Sequence, residues 1–433
     1  MRVGVIGAGK FASMFLTQAL HLPAIHLAGV VDLDPERARS ALARTGWPAE
    51  RYGAPSLAEA LRSGATYVGD SADELLDSAG IEVILEITGN PIAGAYHADR
   101  AIEQGQHVIM VNVEADCLIG PVLAERARRN GVVYALAYGD QPALICELVD
   151  WCRTAGFDVV AAGKGTKYLP DYHQSTPDTV WDHYGFTEAQ LASGDFNPKM
   201  FNSFLDGTKS AIEMAAVANA TGLVPQDEGL QFAPCGVDDL PAVFRPASAG
   251  GVLTRSPTVE IASSLNRDGS EVARDLRWGV FVTFQARTEY AVQCFAEYGL
   301  RTDPSGRYAS LYRPYHLIGL ELAVSIASAV VRGEPTGAPT GFRGDVCAVA
   351  KRALRAGETL DGEGGFMVFG RLAPAPRSVS EGALPLGLAH GIRLRRDVPA
   401  GATLRYADVE LDESVGAVRL RRELEATLSV EVR

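Results

Sequence analysis

The sequence is short of positive charge. Against 53 Asp and Glu stand 40 Lys and Arg, a formal net charge of −13. Such a balance argues against nucleic acid or an anionic membrane as partner, although a local basic pocket for a phosphorylated substrate stays open. Long apolar runs are lacking too. The longest, 317–331, is interrupted by Glu321 and is too short to cross a bilayer; it reads as a core helix. The six cysteines, Cys117, Cys146, Cys152, Cys235, Cys294 and Cys347, contain no C-x-x-C pair. Scattered through apolar stretches, they read as buried free thiols of a cytoplasmic protein, not as a disulfide or zinc framework. Ser/His/Asp hydrolysis has no motif to support it. An apolar strand pattern from residue 2 means that no secretory leader is expected.

What is present is an ordinary globular composition, 47% hydrophobic and 21% charged over 433 residues, enough for two or three domains. The most informative stretch is the first. Arg2 to Ile6 reads as a buried parallel strand. Gly7-Ala8-Gly9-Lys10-Phe11-Ala12 follows as a G-x-G-x-x-A turn opening a helix. In such a turn Gly7 permits the tight bend and Gly9 keeps side-chain atoms away from a pyrophosphate. Ala12 lets helix and strand pack closely, and the helix N-terminus, with Lys10 and Phe11, faces the phosphates. A second strand, Ile25 to Asp32, ends in the acid this motif requires. The Asp32 carboxylate suits the adenosine ribose hydroxyls and repels a 2′-phosphate, which favours NAD; Arg37 and Arg39 keep NADP open. Asp34 with Pro35 reads as the N-cap and first residue of the next helix.

Strands are expected at 2–6, 25–32, 81–87, 106–111, 132–137 and 157–163, with helices between them. That alternation makes an α/β protein with an N-terminal Rossmann domain, a doubly wound parallel sheet whose ligand-facing residues gather at the strand carboxyl ends. Those ends hold Thr88 and Gly89, then Asn112 and Glu114, then Asp140. The first four join Gly7, Gly9, Lys10, Phe11, Ala12 and Asp32 as expected cofactor-binding residues. Beyond about 165 the rhythm changes to an α+β substrate domain. Residues 165–200 carry turn signals, the last at Gly194-Asp195, and read as a lid or elaborated crossover. A long helix is expected from Ser203 to Ala220, closed by Gly222. Strands are expected at 279–287 and 290–297. The expected division is 1–140, 141–344 and 345–433, the middle stretch supplying substrate contacts and any interface of a homo-oligomer. Near the C-terminus, 350–360 and 394–404 repeat weakly, both ending Ala-Gly-x-Thr-Leu. The surrounding short strands resemble the SAF module, a small β-rich fold, within which 371–384 reads as a loop.

Longer motifs carry a wider resemblance. Asn112-Val113-Glu114-Ala115-Asp116 with Ile119-Gly120-Pro121, Ala161-Ala162-Gly163-Lys164-Gly165 and Asp206-Gly207-Thr208-Lys209-Ser210 resemble the 1-deoxy-D-xylulose 5-phosphate reductoisomerase-like oxidoreductases. Gly250-Gly251-Val252-Leu253, Arg313-Pro314-Tyr315-His316-Leu317 and Val346-Cys347-Ala348-Val349-Ala350-Lys351 extend the match along nearly the whole chain. More remotely the layout is similar to homoserine dehydrogenase. The resemblance implies NAD(P)-linked hydride transfer on a small polar hydroxy or keto compound, of the sugar-phosphate or hydroxy-acid kind, or the reductoisomerase reaction itself with NADPH. A non-enzymatic nucleotide-binding or assembly protein is the remaining alternative. Two departures stand out: Asp32 where NADPH enzymes are the characterised members, and Gly139-Asp140-Gln141-Pro142 where the family has Gly-Asp-Glu-Pro.

Hydride transfer needs a group that moves the hydroxyl proton. Lys164 and Lys167, in a glycine-framed loop after the last of these strands, can bind an anionic substrate group or act as acid/base. Lys209 and Glu213 are spaced i,i+4 on an otherwise apolar helix, with Asp206 just before. Lys164, Lys209 and Glu213 are expected to converge on one pocket facing the nicotinamide across a domain crevice, and Asp140 completes the catalytic set. Glu114, Asp116 and Asp140 are candidates for a divalent cation; Asp116 reads equally as a helix N-cap. Arg313 can clamp an anion near His316, or both can belong to a packing corner on Pro314 and Tyr315.

Overall fold

The structure, a computed structural model, describes residues 1–193 and 196–431, so the Gly194-Asp195 turn lies outside the described residues. The chain forms two compact units. One contains Met1–Glu147, His316–Thr340 and Val415–Thr427; the other contains Leu148–Tyr315, Gly341–Ser414 and the residues from Leu428 on.

In the first unit, β1 (Arg2–Ile6), β2 (His26–Val31), β3 (Tyr67–Gly69), β4 (Val83–Glu86), β5 (His107–Met110) and β6 (Tyr134–Leu136) make one sheet in the order β3-β2-β1-β4-β5-β6. Every pairing is parallel. The strands are apolar throughout because crossover helices cover both faces; Val3, Val5, Val30, Val83, Leu85 and Ile109 are fully buried. The expected strands at 2–6, 25–32, 81–87, 106–111 and 132–137 are present. The edge strand β3 was not expected, since three residues are too few to show a period. The stretch at 157–163 is a strand of the other unit.

Two distant segments complete this unit. In 317–331 only Ala323–Ala327 is α-helix, continued by a π turn over Ser328–Arg332. Leu322, Ile326 and Ala329 are buried while Val324 and Val331 are exposed, so the expected core helix is short and one-sided. The helix Gly416–Glu431 brings in Arg421, which is fully buried. Its guanidinium donates to Glu425 Oε1 at 2.9 Å and to the Leu118 carbonyl at 3.3 Å.

The second unit is built on a mixed sheet of β7 (Asp158–Thr166), β8 (Ala233–Pro234), β9 (Thr258–Ser263), β10 (Val280–Gln285) and β11 (Tyr308–Arg313), in the order β11-β10-β7-β9-β8. β7 runs parallel to β9 and antiparallel to β10. The expected strand at 290–297 is instead a helix, Glu289–Glu297, capped by the Thr288 hydroxyl, which accepts from the Ala291 N–H at 3.1 Å. The expected helix 203–220 is two helices, Pro198–Leu205 and Thr208–Thr221. They break at Asp206-Gly207, where Gly207 has φ +85°. Gly222 does end the second in the left-handed region.

The SAF-like stretch contributes β12 (Gly344–Ala350), β13 (Thr359–Asp361), β14 (Val368–Pro374) and β15 (His390–Arg393), with β12–β14 and β13–β15 antiparallel. The expected loop at 371–384 is the end of β14 followed by a helix, Ala375–Ser380. The weak repeat has a structural meaning. Leu354 and Val398, the fifth residue of each copy, exchange both backbone hydrogen bonds, at 2.8 and 3.0 Å. The first residue of each copy bonds the ninth of the other: Ala350 N–H to the Ala402 carbonyl, and Leu394 N–H to the Glu358 carbonyl. The copies are therefore related by a local two-fold axis between Leu354 and Val398.

Among the described residues no helix is long and apolar enough to cross a membrane. Among the described residues the six cysteines form no disulfide; five are buried and Cys294 is half-buried.

Candidate active site

The cofactor half begins at the turn after β1. Gly7 has φ +102°, and a Cβ there would lie 3.0 Å from the Ile87 carbonyl carbon and oxygen. Gly9 is different: a Cβ there would meet nothing within 4 Å, so the space before it is open. Gly9 occupies the N-cap of helix Lys10–Ala19 without a side-chain cap, and the first turn carries no acid. Its N–H groups and positive end suit a pyrophosphate. Ala12 is fully buried against the sheet; Phe11 is half-buried and Lys10 exposed. Asp32 accepts the Ala8 N–H at 2.8 Å and the Asp34 N–H at 3.0 Å. The acid thus fixes the glycine turn while remaining half-exposed. Asp34 is the N-cap, accepting from the Glu36 N–H, with Pro35 first in the helix. Arg39 is paired with Glu36 and Arg37 is exposed. These residues fit a dinucleotide.

At the ends of β4 and β5 the expected residues meet. The Thr88 hydroxyl donates to Glu86 Oε1 at 2.6 Å and accepts from Asn112 Nδ2 at 3.3 Å. Asn112 Nδ2 also reaches the Asn90 carbonyl at 2.9 Å, and its Oδ1 caps the next helix at the Ala115 N–H. Gly94 makes room for this, because a Cβ there would lie 2.5 Å from Asn112 Nδ2. Gly89 turns with φ +67°. Glu86, fully buried, also lies 3.1 Å from His97 Nδ1. Sequence reasoning missed this pair, although an acid closing a strand buried on both faces was a usable signal.

The three-carboxylate metal site is not formed: among the described residues no group of three or more His, Cys, Asp or Glu is placed to hold a metal ion. Asp116 is not an N-cap either, since Asn112 is. Asp116 is fully buried inside the helix Val113–Arg129, accepts the Tyr134 hydroxyl at 2.8 Å, and is pushed up to about 7 by burial. Glu114 is half-buried in the first turn of that helix. Asp140 is buried just ahead of helix Gln141–Thr154, where its Oδ1 accepts the Gln141 N–H at 2.8 Å.

In the second unit Lys164 lies within β7, not in a loop after it. It pairs with Ile261 of β9 and Val280 of β10. The flanking glycines have a steric cause. A Cβ on Gly163 would sit 1.7 Å from the Glu260 carbonyl oxygen, and one on Gly165 1.9 Å from that of Leu276. Alternation places Lys164 on the opposite face, where its ammonium forms an ion pair with Glu213 of helix Thr208–Thr221. Both side chains are buried, at 7% and 3% exposure, and Glu213 is flanked on its helix by the buried Ile212, Met214, Ala215 and Ala216. Of the three residues expected to share a pocket, Lys164 and Glu213 are in contact. Lys209 stands one turn before Glu213 on the same helix, half-buried. Lys167 is drawn elsewhere: its ammonium donates to the His183 carbonyl and lies 5.8 Å from the Tyr184 ring centroid. Burial pushes its pKa down. Arg313 ends β11 with its guanidinium 5.3 Å from the Tyr315 ring centroid; Pro314 and Tyr315 are both exposed, so neither is buried in a packing corner, and His316 opens the segment that joins the first unit.

The same unit holds a second buried ion pair that the sequence did not announce. Asp206 Oδ2 is 2.8 Å from Lys351 Nζ, with exposures of 0% and 2%.

Three family models match successive stretches of the chain. Residues 1–110 match the model for the oxidoreductase family, NAD-binding Rossmann fold, of Gfo/Idh/MocA type. Residues 139–322 match the catalytic domain of oxidoreductase DRL, and 345–410 match the SAF domain. No curated protein matches the chain. Solved structures similar to it include a 3-ketoreductase from Actinomadura kijaniata in complex with TDP-benzene and NADP, at 16% identity and TM-score 0.26. That match covers 39% of this chain and 49% of the ketoreductase, so the chain spans about half of that protein. A probable dehydrogenase from Thermotoga maritima (14% identity, TM-score 0.39) and a putative myo-inositol dehydrogenase from Sinorhizobium meliloti 1021 (10%, 0.38) each match over 77% of this chain and 90% of their own. At these scores the likeness assigns neither substrate nor reaction. The cofactor class follows from the Rossmann match and the fitted turn, and it is NAD(P). In order along the chain, the protein is similar to the NAD-binding Rossmann fold of the Gfo/Idh/MocA oxidoreductases over 1–110, to the oxidoreductase DRL catalytic domain over 139–322 and to the SAF domain over 345–410.

Proposed function

We propose that the protein is an NAD(P)-dependent oxidoreductase acting at a CH–OH or C=O carbon of a small polar substrate of the sugar-phosphate or hydroxy-acid kind. The buried Lys164–Glu213 ion pair carries this reading, because it lies within the stretch matched by an oxidoreductase catalytic domain. A buried pair of opposite charges is costly to maintain and is the kind of group that handles a proton. Bound NAD(P) supplies or accepts the hydride. Gly7, Gly9, Ala12 and Asp32 would hold its pyrophosphate and adenosine ribose, and Thr88 and Asn112 would line its other end. In the reducing direction Lys164 gives its ammonium proton to the carbonyl oxygen as hydride arrives at the carbon, and Glu213 holds Lys164 in place. In the oxidising direction Lys164 takes that proton back. Lys209 contributes a cation for an anionic substrate group.

The test is turnover by Glu213→Gln and Lys164→Met with a panel of hydroxy acids and sugar phosphates, beside NADH and NADPH binding followed by fluorescence. Loss of a proton-transfer group costs about 10²–10⁴-fold in kcat, with cofactor binding retained. Undiminished turnover in both variants would overturn the reading.

The finer form, a reductoisomerase acting on 1-deoxy-D-xylulose 5-phosphate, is favoured by the motifs at 112–121, 161–165 and 206–210. Glu114, Asp116 and Asp140 do not fit the metal that reaction would use, so no step is routed through one. Incubation with that substrate, NADPH and Mn²⁺ at high enzyme concentration decides it: without NADPH consumption this form is discarded. A homo-oligomer held through 141–344 belongs to the same proposal, and light scattering checks it.

A further inference from the structure

We propose that the SAF-like stretch supplies a positioning residue, Lys351, that holds the helix Thr208–Thr221 in register so that Glu213 meets Lys164. The inference rests on the reading of that pair as catalytic, and it gives the SAF-like stretch a task. Lys351 follows directly on β12 and is buried. Its ammonium has three partners: Asp206 Oδ2 at 2.8 Å, the Ser175 carbonyl at 2.6 Å and the Gly365 carbonyl at 2.9 Å. Asp206 in turn accepts the Thr208 N–H on Oδ1 at 2.9 Å, the first N–H of the helix that carries Glu213. One carboxylate thereby joins the helix N-terminus to a lysine of the SAF-like stretch.

The grip is repeated at the same end and at the other. The Thr208 hydroxyl accepts the Gly370 N–H of β14 at 2.8 Å. Gly370 has to be glycine here, because a Cβ would lie 3.1 Å from Thr208 Cγ2 and 2.7 Å from Val346 Cγ1. Near the C-terminal end Asn219 donates to the Gly344 carbonyl at 3.1 Å and accepts the N–H groups of Arg343 and Gly344 at 2.7 and 2.9 Å. Glu213 stands between the two grips, about 10 Å along the axis from Asp206 at 1.5 Å per residue.

A purely structural clamp would not need charge, since apolar packing stabilises at least as well as a buried ion pair. What the charge adds is register. Burial pushes the Asp206 carboxyl up and the Lys351 ammonium opposes that. Without Lys351 the carboxylate is left uncompensated next to the helix N-terminus, and the helix end shifts to reach solvent or a new partner.

The experiment reads the position of Lys164 directly, by trace acetylation with acetic anhydride and mass spectrometry of the peptide containing it. Full-length protein is compared with Lys351→Met, Asp206→Asn and the double variant. Paired with Glu213, Lys164 reacts slowly. Each single variant should raise its labelling roughly tenfold, and the double variant, which leaves no unpaired charge and keeps an acceptor for the Thr208 N–H, should raise it less than either. Unchanged labelling in a folded single variant overturns the proposal. So does a double variant whose rise equals the two singles combined, which would show that the residues do not act through each other. Should Lys351→Met not fold, Asp206→Asn against the parent protein decides alone: no rise refutes the clamp. If labelling behaves as expected while Glu213→Gln keeps full turnover, the positioning stands and the catalytic reading falls.

Discussion

Asp32 holds the glycine turn and, on the proposed reading, also selects the cofactor, and this shapes what its removal should do. Its carboxylate accepts the Ala8 N–H inside the glycine turn and is half-exposed. Asp32→Ala should therefore weaken NAD about 10- to 100-fold, the range for hydrogen bonds to a charged group. NADP should lose less, because the loosened turn hurts both cofactors while only NADP is freed from repulsion. Titration of both cofactors checks the ratio, and an unchanged ratio would remove Asp32 from cofactor selection. Gly9→Val is a cleaner probe. Its Cβ meets no atom within 4 Å, so the variant should fold normally and lose NAD(P) binding. Asp116 gives a pH signature. Its carboxyl is raised to about 7 by burial, so between about pH 4 and 7 the native chain holds a proton that the unfolded chain has released, and stability falls as pH rises through that window. Asp116→Asn should raise the melting temperature at pH 8. The advantage should shrink by about 1.4 kcal/mol per pH unit below about pH 7 and be gone near pH 4. Melts at pH 5 and pH 8 test it.

Secondary structure was legible where burial was simple. Strands β1, β2, β4, β5 and β6 read correctly because a parallel sheet covered on both faces writes itself as short apolar runs. The helix at Glu289–Glu297 was mistaken for a strand because Tyr290, Val292 and Phe295 suit either. Thr288, its N-cap, was the overlooked cue. The Gly163-Lys164-Gly165 run was taken for a loop since glycines usually mark turns. Here they sit in a central strand because neighbouring carbonyls leave no space for a Cβ. Gly163→Ala should accordingly prevent β7 from lying between β9 and β10, at a cost above about 4 kcal/mol. Soluble expression and circular dichroism read the outcome. Ion partners were the least legible part. Lys164 and Glu213 were both candidates, but their pairing across a sheet–helix contact leaves no trace in local spacing. The Lys209–Glu213 spacing suggested a different partner for Glu213. Asp206 and Lys351 come from separate domain matches, and only their burial side by side connects them.

On the scale of the whole chain, sequence order and packing diverge. The reading in three consecutive stretches follows the order of domain matches, whereas the first compact unit takes up 316–340 and 415–427 from far downstream. Arg421, wholly buried against the Leu118 carbonyl, is the tie. Truncation after Ser414 should therefore expose the helix Val113–Arg129 to proteases. It should also lower the melting temperature of the Rossmann unit while leaving its glycine turn intact, as limited proteolysis and NAD(P) titration would record. The same tie sets a timetable during synthesis. A ribosome that has finished residue 147 must still make about 270 residues before helix Gly416–Glu431 emerges. At about 5–20 residues per second that is a delay of roughly 15 to 55 seconds. Throughout it the nascent Rossmann sheet waits with the flank around Leu118 uncovered, in reach of chaperones and of other nascent chains.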